Sequence, residues 1–157
     1  MSVQTSYNFY TDKGVAGGLY DLSHHTVDTF RNGEEDGVLK FGMGVFTKDG
    51  DERCVVLPNH ENSLDFAGVS VNGFTTEMDM NGALALRKGA TVGVLTHGRV
   101  WVRVKEGVEP KFGSELYIYT TGDDAGCFDC IGGDGKIDVK GRFIGPKVGN
   151  LAPVELF

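Results

Sequence analysis

Between positions 99 and 105 apolar and polar residues alternate with period two. Val100, Val102 and Val104 fall on one side, and Arg99, Trp101, Arg103 and Lys105 on the other. This is the pattern of a half-buried strand whose valines enter a core. The only tryptophan of the chain is left between two arginines on the opposite face. There it packs under another part of the chain, stacks on a ligand, or meets a second protein.

Similar short strand patterns recur at 38–46, 53–57, 66–71, 83–86, 91–95, 116–120, 136–139, 142–144 and 153–156. The first two flank a Lys48-Asp49-Gly50-Asp51 turn, and Pro58 stops the second, so they form a hairpin candidate. No stretch keeps the i, i+3, i+4, i+7 spacing for three turns. Helix is therefore expected only as a short turn near 24–31 or 61–66. Short strands with glycine-rich turns predict an all-β fold, a small β-barrel or sandwich with little helix. Residues 1–22 show neither period, yet carry Tyr7, Phe9, Tyr10, Leu19 and Tyr20 among glycines and polar residues. They read as an extended N-terminal arm that docks, by way of its aromatics, on its own domain or on a neighbour's, preceding a single β domain over 23–157.

Composition narrows the function classes. A chain of 157 residues fits one domain able to bury its own core. Its 24 glycines are spread along it, as many turns require. A net charge of −7 argues against nucleic acid or a membrane surface as the partner of the whole molecule. No apolar run approaches the roughly 20 residues of a membrane helix. The opening MSVQTSYNFYTDKG lacks the order of a signal peptide. With three cysteines, an odd number, the expectation is a chain made in cytoplasm with free thiols.

Catalytic and metal-binding patterns are weak. Cys127-Phe128-Asp129-Cys130 is a lone CxxC, and a tetrahedral metal would need two further ligands from Cys54 or a histidine among His24, His25, His60 and His97. The adjacent His24-His25 pair points to opposite faces of an extended chain. Glu34-Glu35-Asp36 lacks the ligand spacing of a calcium loop and reads as a solvated turn, and Asp134-Gly135 reads as a tight hairpin turn. There is no GxSxG and no phosphate loop. No catalytic residue, cofactor or metal ligand is assigned. Charge is uneven, however: residues 87–111 carry a local +4, leaving −11 on the rest. An aromatic among arginines suits a protein interface, where both residue types are enriched.

Four phrases, in this order, resemble the capsid cement, or head decoration, proteins of tailed bacteriophages: TVDTFRNGEEDGVLKFGMGVF, LDFAGVSVNGF, KGATVGVLTHGRVWVRVKEGVEPKFGSELYIY and GRFIGPKVGNLAPVELF. They run from about Gly14 to Phe157; the GCFDC loop and residues 58–65 depart from the pattern. The resemblance implies a β domain on the outside of an assembled head that clamps neighbouring major capsid subunits, without catalysis. It also implies clustering at threefold or quasi-threefold positions, with a trimer as one form of self-association. Tyr7, Phe9, Tyr10, Leu19, Tyr20, Arg99, Trp101 and Arg103 are then the candidate interface residues, with the arm lying along a neighbouring subunit. Alternative readings are another phage structural role, in the tail or in head completion, and a metal-binding β-barrel.

Overall fold

A computed structural model describes residues 14–73 and 86–157. The chain is all-β, and no helix occurs among the described residues. Nine strands follow in order: β1 (Thr26–Asn32), β2 (Gly44–Lys48), β3 (Asp51–Val56), β4 (Ser63–Ser70), β5 (Thr91–Arg103), β6 (Glu115–Tyr119), β7 (Phe128–Asp129), β8 (Lys136–Phe143) and β9 (Leu151–Leu156).

The strand order β1-β3-β2-β4-β5-β9-β8-β6-β7 turns back on itself by a strand pairing between β1 and β5, and at its other end by one isolated bridge. β1 pairs with both β3 and β5, so that β1, β3, β2, β4 and β5 close into one barrel. On the other side β5, β9, β8, β6 and β7 form a second barrel, closed by a parallel bridge between Val104 and Phe128. Pairing of β1 with β5 removes the unpaired edges of the first barrel that an open sheet must protect. Each barrel has its own apolar core. Val45, Val55, Leu57, Val92 and Val94 fill the first with Leu39 and Met43. Val100, Val102, Leu116, Ile118, Phe128, Phe143 and Val154 fill the second.

The shared strand β5 lines both cores, and a bulge changes which of its residues face the second. Opposite Thr26 and Val27 of β1, the partners on β5 jump from His97 to Leu95, leaving Thr96 as an extra residue. An inserted residue reverses which side chains face which way. Before the bulge Leu95 is the β5 residue in the second core; after it the even-numbered Val100, Val102 and Val104 enter that core. The expected strands 91–95 and 99–105 are therefore one 13-residue strand.

Other boundaries change for local reasons. The hairpin across Lys48–Asp51 is present, but its first strand begins at Gly44, because residues 37–43 are held in turns. Neither expected helical turn forms. Residues 26–32 are strand β1, paired along β5, and residues 63–70 are strand β4, paired with β2. Their sparse apolar pattern arises because β1 exposes most of its residues. Segments 136–139 and 142–144 merge into β8, interrupted by an irregular register against β6. Asp134 and Gly135 form a turn that is not a hairpin, since β7 and β8 pair on opposite sides of β6. Of the expected strand at 83–86, residues 83–85 lie outside the described residues.

Candidate contact surface around the second half of β5

On one side the second half of β5 pairs with β9, from Gly98 opposite Leu156 to Arg103 opposite Leu151. On its other side lies part of the expected arm. The Gly17 N–H donates to the Trp101 carbonyl at 2.8 Å, the Trp101 N–H to Gly18 at 2.9 Å, and the Tyr20 N–H to Arg99 at 3.0 Å. Leu19 bridges Val100 in the antiparallel sense. The Asn72 N–H donates to the Gly17 carbonyl at 2.8 Å, tying this segment to the end of β4. Residues 17–20 thus act as an added strand on their own domain, a correction to the expectation that the whole arm lies along a neighbour.

Trp101 is 4% exposed. The Tyr20 ring lies 5.7 Å away at a 47° tilt. Gly14 sits so close to the indole that a Cβ there would come 2.1 Å from Cδ2. The tryptophan is therefore packed under the chain's own arm, not presented as a direct contact. Of the two arm residues that the sequence placed at an interface, Tyr20 is partly covered by the same packing, whereas Leu19 stays exposed. Tyr7, Phe9 and Tyr10 lie outside the described residues.

The flanking arginines anchor this arrangement. Arg99 reaches Asp21 at 2.8 Å and Glu155 at 3.6 Å, and Glu155 is also held by Arg142 at 3.0 Å. Partial burial works to raise the Asp21 carboxyl, but hydrogen bonds from Ser23 and Arg99 outweigh it and hold the group below its ordinary value. Arg103 donates from Nε to the Phe41 carbonyl at 2.8 Å, fixing the loop before β2. Apolar side chains remain outward: Val15 is 64% exposed, Leu19 38% and Leu22 94%.

The cysteine loop has a different organising residue from the one its spacing suggests. Asp129, between Cys127 and Cys130, is buried and accepts from the Tyr119 hydroxyl at 2.5 Å and Lys136 Nζ at 2.6 Å. It also accepts the backbone N–H groups of Cys130 and Ile131, at 2.6 and 3.2 Å. Lys136 and Lys105 both lie over the Tyr119 ring, 4.7 and 5.1 Å from its centre. Burial acts to raise the Asp129 carboxyl, but the bonds from Lys136, Tyr119 and the two amides prevail, so it sits below the usual carboxylate range. Sequence inspection passed over Asp129 because its partners come from β6 and β8. All three cysteines are free thiols. Among the described residues no group of three or more His, Cys, Asp or Glu is placed to hold a metal.

The acidic loop, too, is more than a solvated turn. Glu34 accepts the Leu57 N–H at 2.8 Å, and Glu35 and Asp36 hold Lys88 through its ammonium and its backbone N–H, at 2.5 and 2.8 Å. It knots the end of β1 to the segments after β3 and before β5.

Fold and surface together define an all-β body joined by polar clamps, with an arm belted over its central strand. The chain belongs to the family described as "Structural cement protein (E217 gp24/Pam3 gp6)", whose model matches residues 3–157; it is a structural protein of the phage virion. Its fold is also that of a chain in the solved structure "The capsid of Myoviridae Phage XM1", with a TM-score of 0.72, 19% identity, and coverage of 99% of this chain and 98% of that one. Comparison with curated protein sequences gives no match.

Proposed function

We propose that this protein binds the outside of an assembled phage head and stabilises contacts between neighbouring major capsid subunits, without catalysis. The observation that carries the reading is the family match over nearly the whole chain. A fold with closed barrels supports it, since such a body transmits load without presenting edges for strand exchange. The attachment surface is the arm and the second half of β5: residues 1–13 with Tyr7, Phe9 and Tyr10, then Val15, Leu19, Tyr20 and Leu22, with Arg99 and Arg103 behind them. Trp101 contributes by holding the arm in place. Self-association, as a trimer at threefold or quasi-threefold positions, belongs to the same reading. Nucleic acid and membrane have no part in it.

The test is electron microscopy of heads assembled with and without the protein, with the stability of both particles measured on heating. Added density on the outer surface at regular positions, together with heads that survive higher temperature, is the expected result. Density at the tail or portal vertex alone would replace this reading with a tail or head-completion role.

A further inference from the structure

Where the two barrels meet, the loop before β2, the chain after β3, the end of β5, the turn before β7 and Asn150 enclose a cleft of about 350 Å³. Met43, Leu57 and Val104 supply apolar lining and are themselves almost fully buried. Lys40, Arg103 and Asp123 supply the charge. We propose that this cleft takes a carboxylate-bearing, partly apolar segment of the protein on which the chain is seated. This rests on the cement reading and goes beyond it, in assigning a second, charge-selective contact apart from the arm.

Charge carries the argument. Many of the chain's lysines and arginines, among them Arg31, Lys88, Arg99 and Lys136, lie within ion-pair distance of a carboxylate. Among the described residues Lys40 and Arg103 do not, and unlike Lys48, Arg53, Lys111 and Lys140, which also lack an ion pair, they share one concave site. Arg103 spends Nε on the Phe41 carbonyl. Asp123, the acid of the lining, pairs with neither cation, and Asp124 beside it is taken by Lys105 at 3.2 Å. Cations left without an acid in a concave, partly apolar site favour an incoming carboxylate, because low-dielectric walls strengthen the attraction. The cleft lies at the small end of ligand sites, about 300–1,000 Å³, so it suits roughly one or two side chains of a segment.

Cys127 also lines the cleft and reports on it. Burial pushes its thiol up, with Asp124 adding to this, while Arg103, Lys40 and Lys105 pull the other way. The three cations thus act on one point. The thiol is half-buried, and an occupant would shield it.

Two measurements on the full chain decide the matter. Binding to heads is compared for the wild type, Lys40→Glu, and Lys140→Glu, a control at another exposed lysine without an ion pair. In parallel, alkylation of Cys127 by a small maleimide is followed on free and head-bound wild type, with mass spectrometry separating it from Cys130. The expected result is about a tenfold loss of affinity for Lys40→Glu at low salt, shrinking as salt rises, no loss for Lys140→Glu, and slower alkylation of Cys127 on heads. If the wild type binds but Lys40→Glu binds equally well, or both variants lose equally, or Cys127 reacts at one rate in both states, the cleft is not a docking site. If the wild type does not bind heads at all, the cement reading falls and this inference with it.

Discussion

Trp101 shows how a residue's role depends on what covers it. The alternation of 99–105 correctly puts it opposite the valines, but that face is roofed by Gly14 and Tyr20. Its truncation should therefore act on stability. Trp101→Ala is expected to lower unfolding free energy by about 3–5 kcal/mol, read from the urea midpoint; a variant as stable as the wild type would show that the roof is not packed in solution. Asp129 supports a second prediction. Its carboxyl titrates lower in the folded chain than in the unfolded one, so its stabilisation is full above the ordinary carboxylate value near 4 and is lost as pH falls through the depressed folded value. Lys136 is raised, chiefly by its hydrogen bond to Asp129, so its share is lost only as pH rises through the elevated lysine value. Asp129→Asn should then lower the melting temperature at pH 7 by about 5 °C or more, with the gap narrowing as pH is brought toward 3. A gap independent of pH would mean the pair is not ionised.

At the scale of the element, β5 determines the architecture, and its critical point is the bulge at Thr96 followed by Gly98. Gly98 has φ +125°, and a Cβ there would stand 2.6 Å from that of His25. Gly98→Val should cost about 1–3 kcal/mol in backbone strain, with the clash in addition. Because both barrels share the strand, urea unfolding should show a lower midpoint in a single transition; two separate transitions would show that the barrels unfold independently. The strands themselves were legible wherever a valine or leucine alternated with polar residues, as at 99–105, 116–120 and 153–156. β1 was not, because its exposed residues follow no apolar period: its place is set by ladder hydrogen bonds to β5 rather than by burial.

For the whole molecule, the arm is two segments with different duties. Residues 14–20 complete the fold through ladder bonds to β5, whereas residues 1–13 belong to attachment in the reading proposed above. Deleting 1–13 should leave the melting temperature near that of the full chain and weaken binding to heads. Deleting 1–22 removes the cover of Trp101 and the clamp from Asp21 to Arg99, and should lower the melting temperature markedly. Calorimetry and head pelling by sedimentation of the two truncations read these effects separately. Equal melting temperatures for both would show that residues 14–22 do not belong to the folded body.

The amino-acid pattern alone determined the class: short alternating strands, no helical period and glycine-marked turns leave little besides a small all-β body. The ordered phrases pointed to the family that the chain belongs to. These features are local, and burial of every second side chain is written directly in the order of residues. Only the tertiary structure decided that two barrels share β5, that the arm roofs Trp101, that Asp129 gathers Tyr119 and Lys136, and that Lys40 and Arg103 share a cleft. Each of these depends on segments far apart in the chain being brought together. A one-residue bulge or a glycine in the left-handed half of backbone space redirects every side chain that follows it, and no period in the sequence records that change.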